Sequence, residues 1–138
     1  MFDPIFVWKD QAVSSTTVYR SRVLSPPPGL RLHTQIELTG AGAAGKLVGQ
    51  VNNLPAAQYN AAVAAAGSEA ANTTGWRTVN FKDTDVPTTA VAAAGDVDLL
   101  VGTLDGVAIN TPPGAFRYRF QYTNSGAAGV LNGYSRYT

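Results

Sequence analysis

Six residues from Gly40 to Gly45 match the pattern G-x-G-x-x-G, which in dinucleotide-binding proteins brings the backbone close to a pyrophosphate. That chemistry requires a helix directly after the glycines, because the N–H groups of its first turn point at the phosphates. The residues from Lys46 to Val51 have the pattern of a strand instead. The segment is therefore predicted to be the small-residue turn of a β-hairpin.

His33 is the only histidine, and it lies on the polar side of a predicted strand beside Arg31 and Gln35. Serine catalysis needs a nucleophile, a base and an orienting acid, and no G-x-S-x-G elbow accompanies this histidine. A zinc site would need further histidines or cysteines. We expect an ordinary surface histidine.

Two pairs of aspartates could offer oxygen ligands to calcium, since residues two apart on a strand share a face. Two apart in a loop, they more often cap turns, which is the interpretation favoured here. No acid is marked as buried, so a pair of glycosidase carboxylates is less favoured still. The pairs are Asp83 with Asp85 and Asp96 with Asp98.

Arg117 and Arg119, with Arg136 in the following strand, form a row of cations that is either a solvated face or a stripe facing phosphate, sugar or an acidic protein. The solvated face is favoured because the net charge is only +1. Asn72-Thr73-Thr74 fits a glycosylation sequon, which is discounted because no export signal supports it.

The composition excludes several classes of protein. The 138 residues include no cysteine, which removes disulfide scaffolds, thiolate zinc sites and cysteine nucleophiles. Only 14% of residues are charged, against about 25% in typical soluble chains. A nearly neutral chain has no field to hold nucleic acid or an anionic membrane. Because it shows neither a signal peptide nor a membrane span, we expect a soluble protein that is not exported.

Alternation of apolar and polar residues predicts the strands. Aromatic residues alternate with polar ones from Phe116 to Tyr122, and after a loop the extended pattern resumes from Val130 to Tyr137, so a terminal hairpin is predicted. Leu30 to Leu38 alternates in the same way. A first strand runs from about Ser14 to Leu24, and the proline loop Ser25 to Gly29 separates these two strands.

Further short strands and one helix complete the prediction. The helix covers Leu54 to Gly67, where alanines follow a proline and end at a glycine, inside an insertion of about residues 54–74. The spacing predicts one all-β domain over residues 1–138, an antiparallel sandwich or barrel, with an N-terminal arm of about residues 1–12. The remaining predicted strands are Lys46–Asn52, Trp76–Lys82, Thr88–Ala93, Asp96–Val101 and Val107–Asn110.

Four segments together resemble the small jelly-roll virion proteins of tailed bacteriophages. The segments are Thr34–Gly40, Lys46–Asn52, Gly75–Arg77 and Phe116–Tyr122 with the loop and strand that follow. They most resemble head decoration, or cement, proteins, including those of short-tailed Bordetella-type phages. The resemblance covers roughly Gln35 to the C-terminus and rests on strand rhythm and loop type. It implies a jelly-roll-like β-sandwich that is made in the host cytoplasm, lies on the outside of the virion, bridges major capsid subunits and has no catalytic residue.

The leading hypothesis is therefore a capsid decoration protein that binds the major capsid protein, associates with itself as a dimer or trimer on the lattice, and uses no cofactor or metal. The second is a carbohydrate-binding or receptor-binding module of a phage tail or fibre, with exposed Trp76 or tyrosines stacking on sugars. An enzyme is the weakest hypothesis. The candidate contacts to the capsid are Phe2, Phe6, Trp8, Pro26, Pro27, Pro28, Tyr59 and Val63.

Overall fold

The computed structural model describes residues 5–27, 29–30, 32–40, 44–79, 82–85, 96–100, 107–110 and 117–137. In this part of the chain, ten strands and one short helix confirm the predicted all-β class. The strands are β1 (Ile5–Ser15), β2 (Val18–Arg20), β3 (Leu32–Thr39), β4 (Ala44–Asn52), β5 (Trp76–Val79), β6 (Lys82–Asp85), β7 (Asp96–Leu100), β8 (Val107–Asn110), β9 (Arg117–Asn124) and β10 (Gly126–Tyr137). The helix α1 (Ala56–Ala66) lies between β4 and β5.

The described strands form two antiparallel sheets packed face to face. Sheet A has the order β1-β10-β3-β8-β6, and sheet B has the order β2-β9-β4-β5 with β7 also paired to β4. Apolar side chains from both sheets meet between them, as the alternation on β3 and β9 predicted. The buried core residues are Val7, Trp8, Val13, Leu24, Ile36, Leu38, Leu47, Tyr118, Phe120, Tyr122 and Leu131.

The pairing of the strands is nested. β1 pairs with β10, β2 with β9, β3 with β8 and β4 with β7, all antiparallel. The chain thus follows the path of one long hairpin that has been rolled up, with β10 also paired to β3 and β4 to β9. This is the arrangement of a jelly roll, in which successive strands cross between the sheets.

The predicted terminal hairpin is wrong. β9 and β10 are separated only by Ser125, yet β9 belongs to sheet B and β10 to sheet A. The Asn124 amide shapes the crossing, since its Nδ2 donates to the carbonyl oxygens of Ser15 at 2.9 Å and Ala127 at 2.7 Å. Alternation of apolar and polar residues shows which side chains face the core, but it does not show which strands pair with each other. Here β9 and β10 each pair with strands that are distant in sequence.

The glycine-rich segment after β3 likewise crosses between sheets and is not a hairpin. β3 lies in sheet A and β4 in sheet B. The prediction that a strand, not a helix, follows the glycines is confirmed, which removes the dinucleotide interpretation. Gly40 is required at the start of the crossing, because its φ is +120° and a Cβ there would lie 2.8 Å from the Cα of Gly129.

The N-terminal segment is an edge strand of sheet A, whereas the sequence predicted an arm up to about residue 12. Val7 and Trp8 are buried in the core, and β1 pairs along its length with β10. Register shifts interrupt that pairing, and Asp10 and Ser15 have positive φ values of 48° and 52°. These bulges break the period-two pattern, so the sequence left an ordinary strand and an interface arm about equally favoured for this segment.

The helix prediction is confirmed almost to the residue. Pro55 stands at the N-cap, and Gly67 ends α1 in the left-handed conformation, with φ at 93° and its N–H bonded to the carbonyl of Val63. Among the described helices, none is long and apolar enough to cross a membrane.

The remaining predicted strands agree in part. The segment predicted as one strand from Trp76 to Lys82 contains β5, which belongs to sheet B, and the first residue of β6, which belongs to sheet A. β7 and β8 match their predictions closely. The predicted strand from Thr88 to Ala93 lies outside the described residues.

Candidate functional site

The two arginines expected in a solvated row are buried, and this is a correction to the sequence analysis. Only 8% of Arg117 and 1% of Arg119 is exposed. Both project from the face of β9 opposite to its core aromatics, and this outer face of sheet B is covered by residues 54–74, here called the insertion. A cation inside a protein must be hydrogen-bonded or stacked to remain there, so the partners of these arginines are informative.

Arg119 is held on three sides. Its guanidinium lies 4.1 Å from the centre of the Trp76 ring, its Nε donates to Oε1 of Gln50 at 2.9 Å, and one terminal nitrogen donates to the carbonyl of Glu69 at 3.0 Å. Burial, with a smaller effect of nearby Arg20, lowers the pKa of Arg119 to about 10. The side chain therefore stays protonated at neutral pH and joins sheet B to the insertion.

Arg117 and Arg20 make the same kind of connection. The Arg117 guanidinium stacks 3.9 Å from the centre of the Tyr59 ring and donates to the carbonyl of Leu54 at 2.8 Å. Arg20 donates to the carbonyl of Ala70 at 2.9 Å. Three arginines from β2 and β9 thus hold backbone carbonyls near both ends of the insertion, and we call Arg20, Arg117 and Arg119 the arginine clasp.

Tyr59 is the buried residue of α1 and anchors the helix to the clasp. Its hydroxyl donates to the carboxylate of Glu69, and its ring meets the Trp76 ring edge-on at 6.3 Å. Burial, reinforced by the hydrogen bond to Glu69, raises the pKa of Tyr59 to about 12. Tyr59 therefore serves the interior of the insertion rather than a partner, although the sequence analysis named it as a contact.

The base of the insertion is closed by Asn52, which is fully buried. Its Oδ1 accepts from the N–H of Leu54, and its Nδ2 donates to the carbonyl of Thr74, both at 3.0 Å. One side chain thus bonds to both ends of the insertion. Asn72, the discounted sequon residue, is also buried, with 1% exposed, and bonds back to Thr74.

The outer surface of the insertion carries almost no charge. Glu69 is the only charged residue among residues 54–74, and its carboxylate accepts the Tyr59 hydroxyl. Seven of the eleven residues of α1 are alanine, and most of them are exposed. Val63, a predicted contact, is partly buried. A rigid neutral surface of this kind has little desolvation cost when another protein covers it.

The proline loop leaves the sandwich at the same end of β9 as the base of the insertion. Leu24 pairs with Tyr118, while Arg117 beside it pairs with Asn52 and bonds to Leu54. Pro26 is partly buried and Pro27 is exposed. The other predicted contact in this loop, Pro28, lies outside the described residues.

The N-terminal aromatic residues divide between the surface and the core. Phe6 is 43% exposed on the outer face of sheet A, with its ring centre 5.1 Å from that of Tyr134 and Lys9 above it at 5.2 Å. Trp8 is 5% exposed and packs near Phe120, so it serves the core and is not a surface contact. Phe2 lies outside the described residues.

Both aspartate pairs lie on strands, with Asp83 and Asp85 on β6 of sheet A and Asp96 and Asp98 on β7 of sheet B. The strand that carries Asp96 and Asp98 was predicted, and neither pair lies in a turn as the favoured turn-capping interpretation requires. No group of three or more possible metal-ligating acids, histidines or cysteines occurs among the described residues. His33 lines a shallow depression of about 290 Å³ on sheet A.

Sequence reasoning missed the clasp. Gln50 and Asn52 were assigned only to a strand, and Trp76 to a strand or to sugar stacking, yet each contacts the insertion or an arginine of the clasp. One signal was present in the sequence. The insertion contains a single charged residue and follows a strand that carries Gln50 and Asn52. Polar side chains that bond to the insertion therefore had to come from the sheet. The second hypothesis also changes, because Trp76 is only partly exposed, with Arg119 stacked on its ring and Tyr59 meeting it edge-on.

Comparisons with known proteins identify no relative. A scan against protein-family models found no match, and neither the search of curated proteins nor the search of solved structures returned one. The fold and the two outer faces of the sandwich therefore define this molecule as a jelly-roll β-sandwich with a clasped insertion on one sheet and an aromatic pair that includes the exposed Phe6 on the other.

Proposed function

We propose that this protein is a capsid decoration protein of a tailed bacteriophage, which binds the outside of the head and bridges major capsid subunits. The observation that carries the proposal is the outer surface of the insertion, which is rigidly held and nearly free of charge. A lone surface helix normally carries charged residues facing water. α1 carries none, which suits a helix covered by another protein.

Rigidity adds to this support. A surface that is ordered before binding loses little conformational entropy when it docks. The arginine clasp, Tyr59 and Asn52 supply that order for the insertion. The neutral proline loop lies at the same end of sheet B, so both segments can face one partner. The resemblance to decoration proteins in strand rhythm and the jelly-roll pairing agree with this role.

On a capsid lattice, a contact surface of modest affinity is sufficient for attachment. A molecule that touches two neighbouring capsid subunits gains effective concentration once its first contact has formed, so each contact can be weak. Self-association as a dimer or trimer would add to the same effect and stays a prediction.

Charge introduced on the exposed face of α1 tests the proposal. The double variant Ala61→Glu/Ala64→Glu keeps good helix formers at exposed positions, so the fold should survive. We expect purified wild-type protein to co-sediment with phage heads assembled without it and to delay the release of DNA on heating. The double variant should do neither, because two buried carboxylates would lack partners.

Ala128→Glu is the matched control, since Ala128 is also small and exposed but lies on β10 of sheet A. This variant should bind heads as the wild type does. Heads that bind the double variant as tightly as the wild type, or heads that never bind the wild-type protein, would refute the proposal.

A further inference from the structure

The outer face of sheet A carries an aromatic pair beside its β1 edge, in which Phe6 is exposed and Tyr134 is partly buried. Phe6 on β1, Tyr134 on β10 and Gln35 on β3 stand opposite one another in the strand register. The rings of Phe6 and Tyr134 are 5.1 Å apart, and Phe6 is 43% exposed. No described segment covers this pair as the insertion covers sheet B. Aromatic rings on a surface offer flat apolar area at low entropic cost, which is typical of binding sites.

Polar side chains surround a depression beside the pair. It measures about 290 Å³ and is lined by His33, Gln35, Tyr134, Ser135 and Arg136. The imidazole, amide, hydroxyl and guanidinium groups together supply both donors and acceptors of hydrogen bonds. A few convergent polar groups next to an aromatic surface are typical of a site for a small ligand.

Among the described side chains of this face, one end carries a positive charge that no acidic side chain balances. Arg136 is exposed and forms no ion pair with a described residue. The nearest acid along β3 on this face, Glu37, accepts a hydrogen bond from Nε2 of Gln35 at 3.0 Å. Lys9 adds a second cation above Phe6. A guanidinium without an acid is suited to a carboxylate supplied by a ligand, which it can hold through two parallel hydrogen bonds.

We propose that this face binds an acidic sugar, such as a uronic acid residue of a polysaccharide. The apolar C–H face of the sugar ring packs on Tyr134 and Phe6, its hydroxyls bond to Gln35 and His33, and its carboxylate meets Arg136. A sugar fits better than a peptide because the described part of the site alternates flat apolar area with hydrogen-bonding groups. The site lies on the sheet opposite to the insertion, so this inference is independent of capsid binding.

Two sugars that differ only in the carboxylate test the proposal. We expect methyl β-D-glucuronide to shift the backbone amide resonances of Gln35, Tyr134 and Arg136 saturably in an NMR titration of the full chain. Methyl β-D-glucoside should bind the same residues about tenfold more weakly, because the charged hydrogen bonds to Arg136 are missing.

Single substitutions then assign the roles. Arg136→Gln should lower the affinity for the glucuronide to that for the glucoside, and Phe6→Ala should weaken both. The control Arg77→Gln removes an exposed arginine from β5 of the other sheet and should change neither. The proposal is overturned if the glucuronide causes no saturable shifts at these amides, or if Arg136→Gln binds it as the wild type does. Arg136→Gln should still attach to phage heads, because Arg136 lies on the sheet opposite to the insertion.

Discussion

Arg119 is buried, although a charged arginine side chain is expected at the surface of a protein. It is a cation with 1% of its surface exposed, and it joins sheet B to the insertion through Gln50, Trp76 and the carbonyl of Glu69. Arg119→Met keeps the apolar stem but removes these bonds and leaves Gln50 unpaired. We expect the free energy of unfolding, measured by urea denaturation, to fall by about 2–3 kcal/mol.

Arg77 is the matched control for this change, because it is an exposed arginine on a strand of the same sheet. Arg77→Met should alter the free energy of unfolding by less than about 0.5 kcal/mol. Equal effects of the two substitutions would show that the contacts of Arg119 add nothing to stability.

Two buried tyrosines of β9 should respond oppositely to loss of the hydroxyl. The Tyr122 hydroxyl donates to Oδ1 of Asn124 at 2.9 Å, while the Tyr118 hydroxyl has no hydrogen-bond partner among the described residues. Burial raises the pKa of both. Tyr122→Phe should cost about 1 kcal/mol of unfolding free energy. Tyr118→Phe should cost nothing or stabilise, and a comparable loss from it would disprove this account.

At the scale of an element, the insertion depends on its contacts with sheet B. An isolated helix of eleven residues is marginal in water even when rich in alanine. Tyr59 links α1 to Arg117, Trp76 and Glu69. Tyr59→Ala should therefore raise the rate of amide hydrogen exchange throughout α1 while the amides of β9 and β10 keep their protection.

Gln58→Ala provides the comparison within the same helix, since Gln58 is exposed and precedes Tyr59 directly. It should leave hydrogen exchange in α1 unchanged or slower, because alanine has the higher helix propensity. If the amides of α1 stayed protected from hydrogen exchange in Tyr59→Ala as they do in Gln58→Ala, the clasp would not be what orders the insertion.

At the scale of the whole molecule, the N-terminal strand is part of the sandwich and not an appendage. β1 contributes Val7, Trp8 and Val13 to the core and covers one edge of β10. Deletion of residues 1–12 should therefore abolish cooperative unfolding in circular dichroism, because the core would open on one side. A detachable arm would leave the melting transition almost intact, so a truncated protein with a normal transition would contradict the structure.

The class of fold and several elements could be predicted from the sequence because their signals are local. The alternation of aromatic and polar residues marked β9, and the proline and glycine around the alanine run marked the ends of α1. The sequence did not decide between a strand and an arm at β1, because its bulges at Asp10 and Ser15 interrupt the period of two. The prediction of two hairpins failed because short connections between strands do not reveal whether the chain stays in one sheet.

The sequence by itself determined that the chain is neutral, lacks cysteine and forms an antiparallel sandwich with a helical insertion, since composition and local periodicity are properties of neighbouring residues. Only the tertiary structure decided the nested strand pairing and the two different outer faces. Arg119 and Arg136 look alike in the sequence, yet the first is buried under the insertion and the second remains exposed on sheet A. The difference arises because burial of a polar side chain depends on which distant segment lies above it.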